Sequence, residues 1–257
     1  MKILVGIKYG LKVENLVIDP RSRKVLEADT PKQMEELSKR ALEEALRIKE
    51  KLGGAVTVVC IGPQEARKII TEAYAMGADD AYLITPPEAY DSYIVSKILS
   101  AFYKTKGPFD LVLLGGISTD SFTALVGSRL SGELGLPLLP MAKKIEVSEQ
   151  EVVVESDLGD GTYKLRSKLP AIVTVSLEIN EPRIPKLPQI LKAKKKPINE
   201  LKIDDLGLAG ETPKVLITDT KAYEEKRKNV IWDASDPSKI PEIIENLINK
   251  LKEEGVL

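Results

Sequence analysis

Two glycines and a cluster of hydroxyl residues follow an apolar run at residues 111–114. The run is typical of a buried strand, and the residues after it, through Leu134, predict a helix. Free N–H groups at a helix start favour negative charge, and glycines let backbone approach a ligand closely. The stretch therefore predicts an anion-binding site with Asp120 as a helix cap, formed by Gly115, Gly116, Ser118, Thr119, Asp120, Ser121 and Thr123. The motif is a weak one, so an alternative remains: these residues form a strand–helix turn whose cap only stabilises the helix.

Two further apolar runs end beside candidate contact residues. Residues 2–8 include Gly6 and Lys8, and residues 55–63 include Cys60. Because ligands of doubly wound sheets bind at the carboxyl ends of the strands, we expect these positions to converge with the 115–120 stretch. A solvated charge explains Lys8 equally well, and we favour a small buried apolar role for Cys60 over a reactive one.

The composition excludes several kinds of chemistry. The 257 residues include no histidine and one cysteine, with 38 basic and 39 acidic residues. A histidine-based triad is therefore excluded, and neither catalytic side chains nor a metal site is expected. A net charge of −1 argues against nucleic acid as a partner. No apolar run is long enough to span a bilayer, so we expect no membrane insertion and a cytoplasmic location.

The order of predicted elements indicates the fold class. Strands alternate with helices predicted at 33–52, 63–76 and 91–103, which favours an α/β, doubly wound, mostly parallel, Rossmann-like sheet. Residues 144–155 and 162–168 alternate around a glycine turn and predict a β-hairpin insertion, followed by a strand at 171–177. We place this α/β domain at 1–207 and an extended C-terminal arm, ending in a helix at 241–254, at 208–257.

The proline-rich segment 182–197, hereafter the docking segment, combines apolar and basic side chains. Leu187 lies before a basic group formed by Lys192, Lys194 and Lys195. An apolar anchor with a basic rim suits an acidic partner, and we favour this docking role over the alternative of a solvated lysine run. The amphipathic helix at 241–254 must fold back or wrap a second subunit to bury its apolar stripe.

Several separated motifs resemble one family. The run 160–175, followed by Asn180-Glu-Pro-Arg183, Leu187-Pro188 and 192–196, resembles the β subunit of electron transfer flavoprotein. Cys60-Ile-Gly-Pro63, residues 74–79 and residues 110–127 are also similar, in the family's order. The match covers roughly residues 1–207.

The resemblance implies a heterodimer whose α subunit carries a flavin adenine dinucleotide (FAD), while the β subunit holds an adenine nucleotide. That nucleotide is AMP in ordinary members. In bifurcating members it is a second FAD, which takes a hydride from NADH and sends its electrons to two acceptors. The contacts that the resemblance implies are Gly6, Lys8, Cys60, Gly115, Asp120, Thr123, Val126 and Gly127, to which we add Gly116, Ser118 and Ser128.

The resemblance also implies partner contacts. The docking segment corresponds to a loop that anchors on a dehydrogenase by a leucine, here Leu187, and the tail corresponds to an arm that embraces the α subunit. A membrane-associated quinone oxidoreductase is a further expected partner. Within this hypothesis we favour FAD over AMP in the β-subunit site, because the chemistry would then belong to the cofactor.

The sequence departs from the family pattern at two places. Glu35-Glu36 stands where Asn-Pro is usual, and Gly116 stands where a basic residue is usual. Backbone N–H groups would then have to hold the phosphates. A second hypothesis, a non-redox module of the same fold that senses AMP or ATP, would need neither the docking segment nor the tail. The sequence contains no recognisable pair of a nucleophile and a general base that would suggest a hydrolase.

Overall fold

The computed structural model describes residues 1–223 and 228–257. These residues form two compact units, Met1–Lys221 and Ala222–Leu257. The strands are β1 (Lys2–Ile7), β2 (Tyr9–Leu11), β3 (Lys32–Met34), β4 (Ala55–Ile61), β5 (Asp80–Thr85), β6 (Leu111–Gly115), β7 (Leu138–Val147), β8 (Glu151–Asp157), β9 (Thr162–Lys168), β10 (Ala171–Val175) and β11 (Asn199–Lys202). The α-helices are α1 (Glu36–Leu52), α2 (Arg67–Met76), α3 (Ser92–Lys106), α4 (Leu125–Leu134), α5 (Leu187–Ala193) and α6 (Ile240–Glu253).

The first unit is organised around a nine-stranded sheet in the order β11-β5-β4-β1-β6-β10-β7-β8-β9. Its strands pair in parallel from β11 to β7, and β8 and β9 continue it as antiparallel strands. The chain adds β4 and β5 on one side of β1 and then crosses to place β6 on the other side. This reversal confirms a doubly wound α/β fold and opens a crevice at the carboxyl ends of β1 and β6.

Helices cover both faces of the sheet because the central strands are apolar on both sides. In β1, Ile3 and Val5 pack into the core cluster that contains α1 and α2, whereas Leu4 packs into the cluster that contains α3. Strands buried on both faces are expected for parallel sheets. The core thus fixes β1 and β6, whose ends form the crevice.

Two predicted elements differ in the structure. The helix predicted from residue 33 begins at Glu36, because residues 32–34 form β3 and pair with β2. The predicted strand at 144–155 is two strands, β7 and β8, joined by a turn in which Ser148 Oγ accepts from the N–H of Glu151 at 3.1 Å. The predicted hairpin is therefore the last two strands of a three-stranded meander.

The docking segment lies between two strands of the same sheet. It follows β10 near the sheet centre and ends before β11, which pairs in parallel with β5 at the far edge. No periodic pattern predicts β11, since its four residues are mostly exposed and polar. Only α5 interrupts the irregular backbone of this segment.

The first unit includes residues 208–221, which we place with the arm on sequence grounds. Asp91 holds them, since its carboxylate accepts from the N–H groups of Lys214 and Val215 at 2.9 and 3.0 Å. In the second unit α6 is the predicted amphipathic helix, and none of its residues is buried. Within residues 1–223 and 228–257, no helix has the length and apolar character needed to cross a membrane.

Candidate functional site: a crevice at the ends of β1 and β6

The carboxyl ends of the predicted strands lie side by side in the middle of the sheet. Gly6 of β1 pairs with Val59 of β4 on one side and with Leu114 of β6 on the other. The residues that follow β1 and β6 therefore lie next to each other, across the point where the strand order reverses. This adjacency was expected from the alternating pattern alone.

Lys8 links the two strand ends through its side chain. Its ammonium group lies 2.5 Å from Asp120 Oδ1 and donates to Ser118 Oγ at 3.0 Å. Ser118 Oγ in turn donates to Asp120 Oδ1 at 2.8 Å and lies 2.9 Å from Ser121 Oγ. The loop after β6 is thus tied to β1 by one cation and a small set of hydroxyls.

Asp120 remains a charged partner for Lys8. Burial raises the pKa of this carboxyl, but hydrogen bonds and charge from Lys8, with a hydrogen bond from Ser118, hold the pKa below its usual value. Lys8 is itself 41% exposed. The ammonium group is therefore accessible to an anion in the crevice even while Asp120 contacts it.

The prediction that Asp120 caps the following helix is wrong. Helix α4 begins only at Leu125, and Ala124 before it has a φ of 52° and provides no side-chain cap. The first N–H groups of an α-helix have no intrahelical partner. The uncapped first turn of α4 contains three of the predicted contacts, Val126, Gly127 and Ser128, whereas Thr123 lies exposed in the loop before it.

The glycines at the end of β6 make room for the protein itself. A Cβ at Gly115 would lie 2.9 Å from Leu37 Cβ in α1, and one at Gly116 would lie 2.9 Å from the carbonyl oxygen of Val175. Close approach of α1 and β10, rather than of a ligand, therefore explains why these positions lack side chains. Gly127 is similar, because its Cβ would lie 2.6 Å from Thr174 Cγ2.

Comparisons with known proteins agree with this geometry. A family model described as "Electron transfer flavoprotein domain" matches residues 23–206. The electron transfer flavoprotein subunit beta of Thermoanaerobacterium thermosaccharolyticum is 35% identical over 267 aligned positions, which cover all of both chains. That of Bacillus subtilis is 40% identical over 174 positions, 66% of this chain and 67% of the relative. The chain belongs to the electron transfer flavoprotein β-subunit family.

A third relative of this β-subunit chain is named as part of a larger assembly. The caffeyl-CoA reductase-Etf complex subunit CarD of Acetobacterium woodii is 29% identical over 270 positions, covering all of both chains. Electron transfer is therefore the activity of the family to which this chain belongs.

Cys60 sits in the β subunit as a core residue. Its side chain is fully buried in the cluster that contains α1 and α2, and burial raises the pKa of the thiol to about 12. A buried, protonated thiol is chemically inert. Any contact with a ligand at this position would go through the backbone.

Two crevice residues were missed at the sequence level. Glu35 is buried, and its Oε1 accepts from the N–H of Thr119 at 3.0 Å. Tyr90, on the loop after β5, lies near Cys60 and Asp120, and burial together with these groups raises its pKa. Glu35 was noticed only as a departure from the family pattern, and Tyr90 gave no periodic signal. Among the described residues, no group of three or more acidic or cysteine side chains could hold a metal ion.

Most residues of the docking segment of the β subunit are exposed. Leu187 is 68% exposed and Ile184 is 91% exposed. They adjoin a basic group, Lys192, Lys194 and Lys195. Ile184 and Ile190 help to line a cleft of about 500 Å³ against α2. Such apolar exposure on a folded surface is typical of a site of protein association.

Arg183 fixes the start of the docking segment to α1. Its guanidinium donates to Glu43 Oε2 at 2.7 Å and to Glu50 Oε1 at 2.6 Å. Asn180 adds a bond to Glu44 Oε2 at 3.0 Å. The base of the segment is thus rigidly placed, while its apolar tip faces solvent.

Proposed function

We propose that this chain is the nucleotide-binding β subunit of a heterodimeric electron transfer flavoprotein. The observation that carries the proposal is the uncapped first turn of α4, which follows the loop held by Lys8 at the switch point of the sheet. A helix N-terminus with free N–H groups favours a phosphate, and a neighbouring ammonium adds charge. Both features suit the diphosphate or monophosphate of an adenine nucleotide.

The proposal gives each predicted contact a role. Val126 and Gly127 offer backbone N–H groups to phosphate, Ser128 beside them offers its hydroxyl, and Lys8 offers its ammonium. Ser118 and Thr123 supply hydroxyls, and Asp120 orients Lys8. The remaining predicted contacts, which form the floor of the crevice through backbone, are Gly6, Cys60, Gly115 and Gly116.

FAD in this site, which we favour over AMP, would accept a hydride from NADH and pass electrons on to two acceptors. The side chains of this subunit would then bind and orient the cofactor without forming bonds to substrate. The family activity agrees with this division of labour, since redox chemistry belongs to the cofactor and the protein supplies position and electrostatics.

Unburied apolar surface supports a permanent partner. In the second unit, Ile244 and Leu247 of α6 are exposed, as is Ile231 before it. An amphipathic helix gains stability by burying its apolar stripe. We therefore assign 208–257 as an arm that embraces the α subunit through the exposed apolar residues of its second-unit part, 222–257. The name of the A. woodii relative, which includes an Etf complex, supports an assembly of several subunits.

We assign the docking segment to a transient partner. Leu187 would enter an apolar pocket of a dehydrogenase or a quinone oxidoreductase, and Lys192, Lys194 and Lys195 would face its acidic rim. Rim charges of this kind mainly increase the association rate.

The deciding experiment starts from this chain co-expressed with its α subunit and purified without oxygen. Nucleotides released by denaturation are separated by chromatography and quantified per heterodimer. Two FAD per heterodimer support a flavin in this subunit and bifurcation, whereas one FAD and one AMP support a simple electron shuttle. AMP or ATP without any flavin would favour the sensor hypothesis, and no nucleotide tracking with this chain would refute the site.

A further inference from the structure

Glu35 is a buried carboxylate that binds two segments at once. Its Oε2 accepts from the N–H of Leu37 at 2.8 Å, which makes it the N-cap of α1, and its Oε1 accepts from the N–H of Thr119 at 3.0 Å. Its own N–H donates to the carbonyl oxygen of Lys8 at 3.0 Å. The residue therefore joins the end of β1, the start of α1 and the loop after β6.

The length of this side chain is what allows the second contact. The preferred N-cap residues Ser, Thr, Asp and Asn are shorter and satisfy the helix alone. Glutamate is one methylene longer than aspartate, so one oxygen can cap α1 while the other reaches Thr119. A charge-assisted bond to backbone is stronger than a neutral one, which suits a role in holding a loop.

We propose that Glu35 is a positioning residue that holds the 118–121 loop in the conformation that receives the nucleotide. The inference rests on the proposed function of the crevice. With the loop held, Ser118 and Asp120 meet Lys8 and fix its ammonium. The Thr119 N–H is committed to Glu35, so the phosphate is directed to the uncapped first turn of α4.

The substitution Glu35→Asp separates the two roles of the side chain. Aspartate keeps the charge and caps α1, but it is too short to reach Thr119. The matched control is Glu36→Asp, the same change one residue along, at a side chain that is 45% exposed and pairs with Arg40. Both variants are made in the full chain, in complex with its α subunit.

Two measurements test the proposal: amide hydrogen exchange by mass spectrometry, and the dissociation constant for AMP after removal of bound nucleotide. In Glu35→Asp we expect exchange in the 116–124 segment to rise at least tenfold while α1 stays protected, and AMP to bind about tenfold more weakly. In Glu36→Asp both should equal the wild type. Glu35→Gln keeps the length but has one acceptor oxygen instead of two, so it should lose one of the two contacts and exchange faster either at 116–124 or at the start of α1. Wild-type protection at both places would contradict the two-acceptor geometry.

The outcomes that overturn the inference differ from those that overturn the proposed function. Unchanged exchange at 116–124 would mean that Glu35 does not hold the loop. Faster exchange with unchanged AMP affinity would mean that the loop does not position the nucleotide. Failure of the wild-type complex to bind any adenine nucleotide would instead contradict the proposed function. The hydrogen-exchange result would still decide whether Glu35 holds the 118–121 loop.

Discussion

The side chains of the crevice have partners within the protein, whereas the apolar side chains of the docking segment face solvent. In the crevice, polar groups are paired within the protein, as Lys8 is with Asp120 and Glu35 is with Thr119. In the docking segment, Ile184 and Leu187 extend into solvent from a base fixed by Arg183. The difference fits the proposed roles, in which the crevice is organised before a nucleotide binds and the docking segment is covered by another protein.

The substitution Gly115→Ala should have the largest effect and should act on the crevice alone. The added methyl would lie 2.9 Å from Leu37 Cβ, so α1 would have to shift. Overpacking of this kind costs about 2 kcal/mol in the free energy of unfolding. Urea unfolding and AMP binding measure the two consequences.

Gly132→Ala is the matched control for this change. A Cβ at Gly132, inside α4, meets nothing within 4 Å. Alanine should therefore stabilise the helix by up to about 1 kcal/mol, because it has the higher helix propensity. Equal destabilisation by the two substitutions would show that close packing at Gly115 is not what the crevice requires.

Leu187→Ala should affect the docking segment alone. Loss of an exposed apolar anchor should lower the second-order rate of electron transfer to the dehydrogenase about tenfold, or about 1.4 kcal/mol. Nucleotide content should not change. Leu158→Ala, at an exposed leucine between β8 and β9, is the control and should transfer electrons at the wild-type rate. A fall in nucleotide content in the Leu187 variant would mean that the two regions are coupled.

Lys8→Met should weaken AMP binding about fivefold at low salt. The ammonium contributes a partly screened charge, so the difference should shrink as ionic strength rises. The control is Lys104→Met, which removes the same charge from the last turn of α3. That turn leads into the start of β6 and so lies away from the carboxyl ends of the strands that form the crevice. Equal loss of affinity in both variants would show a general effect of net charge instead of a contact.

Arg183→Met, at the base of the docking segment, should have an effect about as small as that of Lys8→Met. Burial raises the pKa of Glu43, but hydrogen bonds from Arg183 and Arg47 outweigh it and lower the pKa below its ordinary value. The contribution of the Glu43 carboxylate to the free energy of unfolding is therefore complete above about pH 4.5 and is lost as the pH falls below that value.

We accordingly expect a difference in unfolding free energy of about 1 kcal/mol between Arg183→Met and the wild type at pH 7, since one partner is buried and the other partly exposed. The difference should narrow below pH 4.5. Denaturant unfolding at pH 7 and at pH 3.5 measures it. A difference that stays constant across this range would show that the ion pair does not carry the effect.

Pattern arguments predicted the features that depend on periodicity. The buried strands and the amphipathic helices follow from alternating or three-to-four-residue spacing of apolar side chains, and their order predicts the position of the crevice. Boundaries set by tertiary pairing were not predictable. Residues 32–34 form β3 only because β2 lies beside them, and β11 forms only because β5 offers an open edge.

Within the site, residue types were easier to predict than their partners. The sequence placed Lys8 and Asp120 in one crevice, but the helix cap assigned to Asp120 was wrong because α4 starts five residues later, at Leu125. The role of Glu35 was not predicted, because a glutamate in the first turn of a predicted helix suggests a solvated charge. Its role depends on a backbone group more than eighty positions away, which no local pattern encodes.

The pairing of β11 with β5 has a consequence for the order of folding. Tyr82 of β5 registers with Asn199 of β11, so more than a hundred residues separate the two sides of this ladder. Closing so long a loop is entropically costly, and non-local pairs of this kind form slowly. We expect β11 to join the sheet late, after the helices between the two strands have packed. That step fixes the chain just beyond the docking segment, in addition to the hydrogen bonds from Lys196 to Ala78 and from Tyr74 to Pro197. A chain that has not finished folding would therefore hold the proposed surface for a redox partner less firmly.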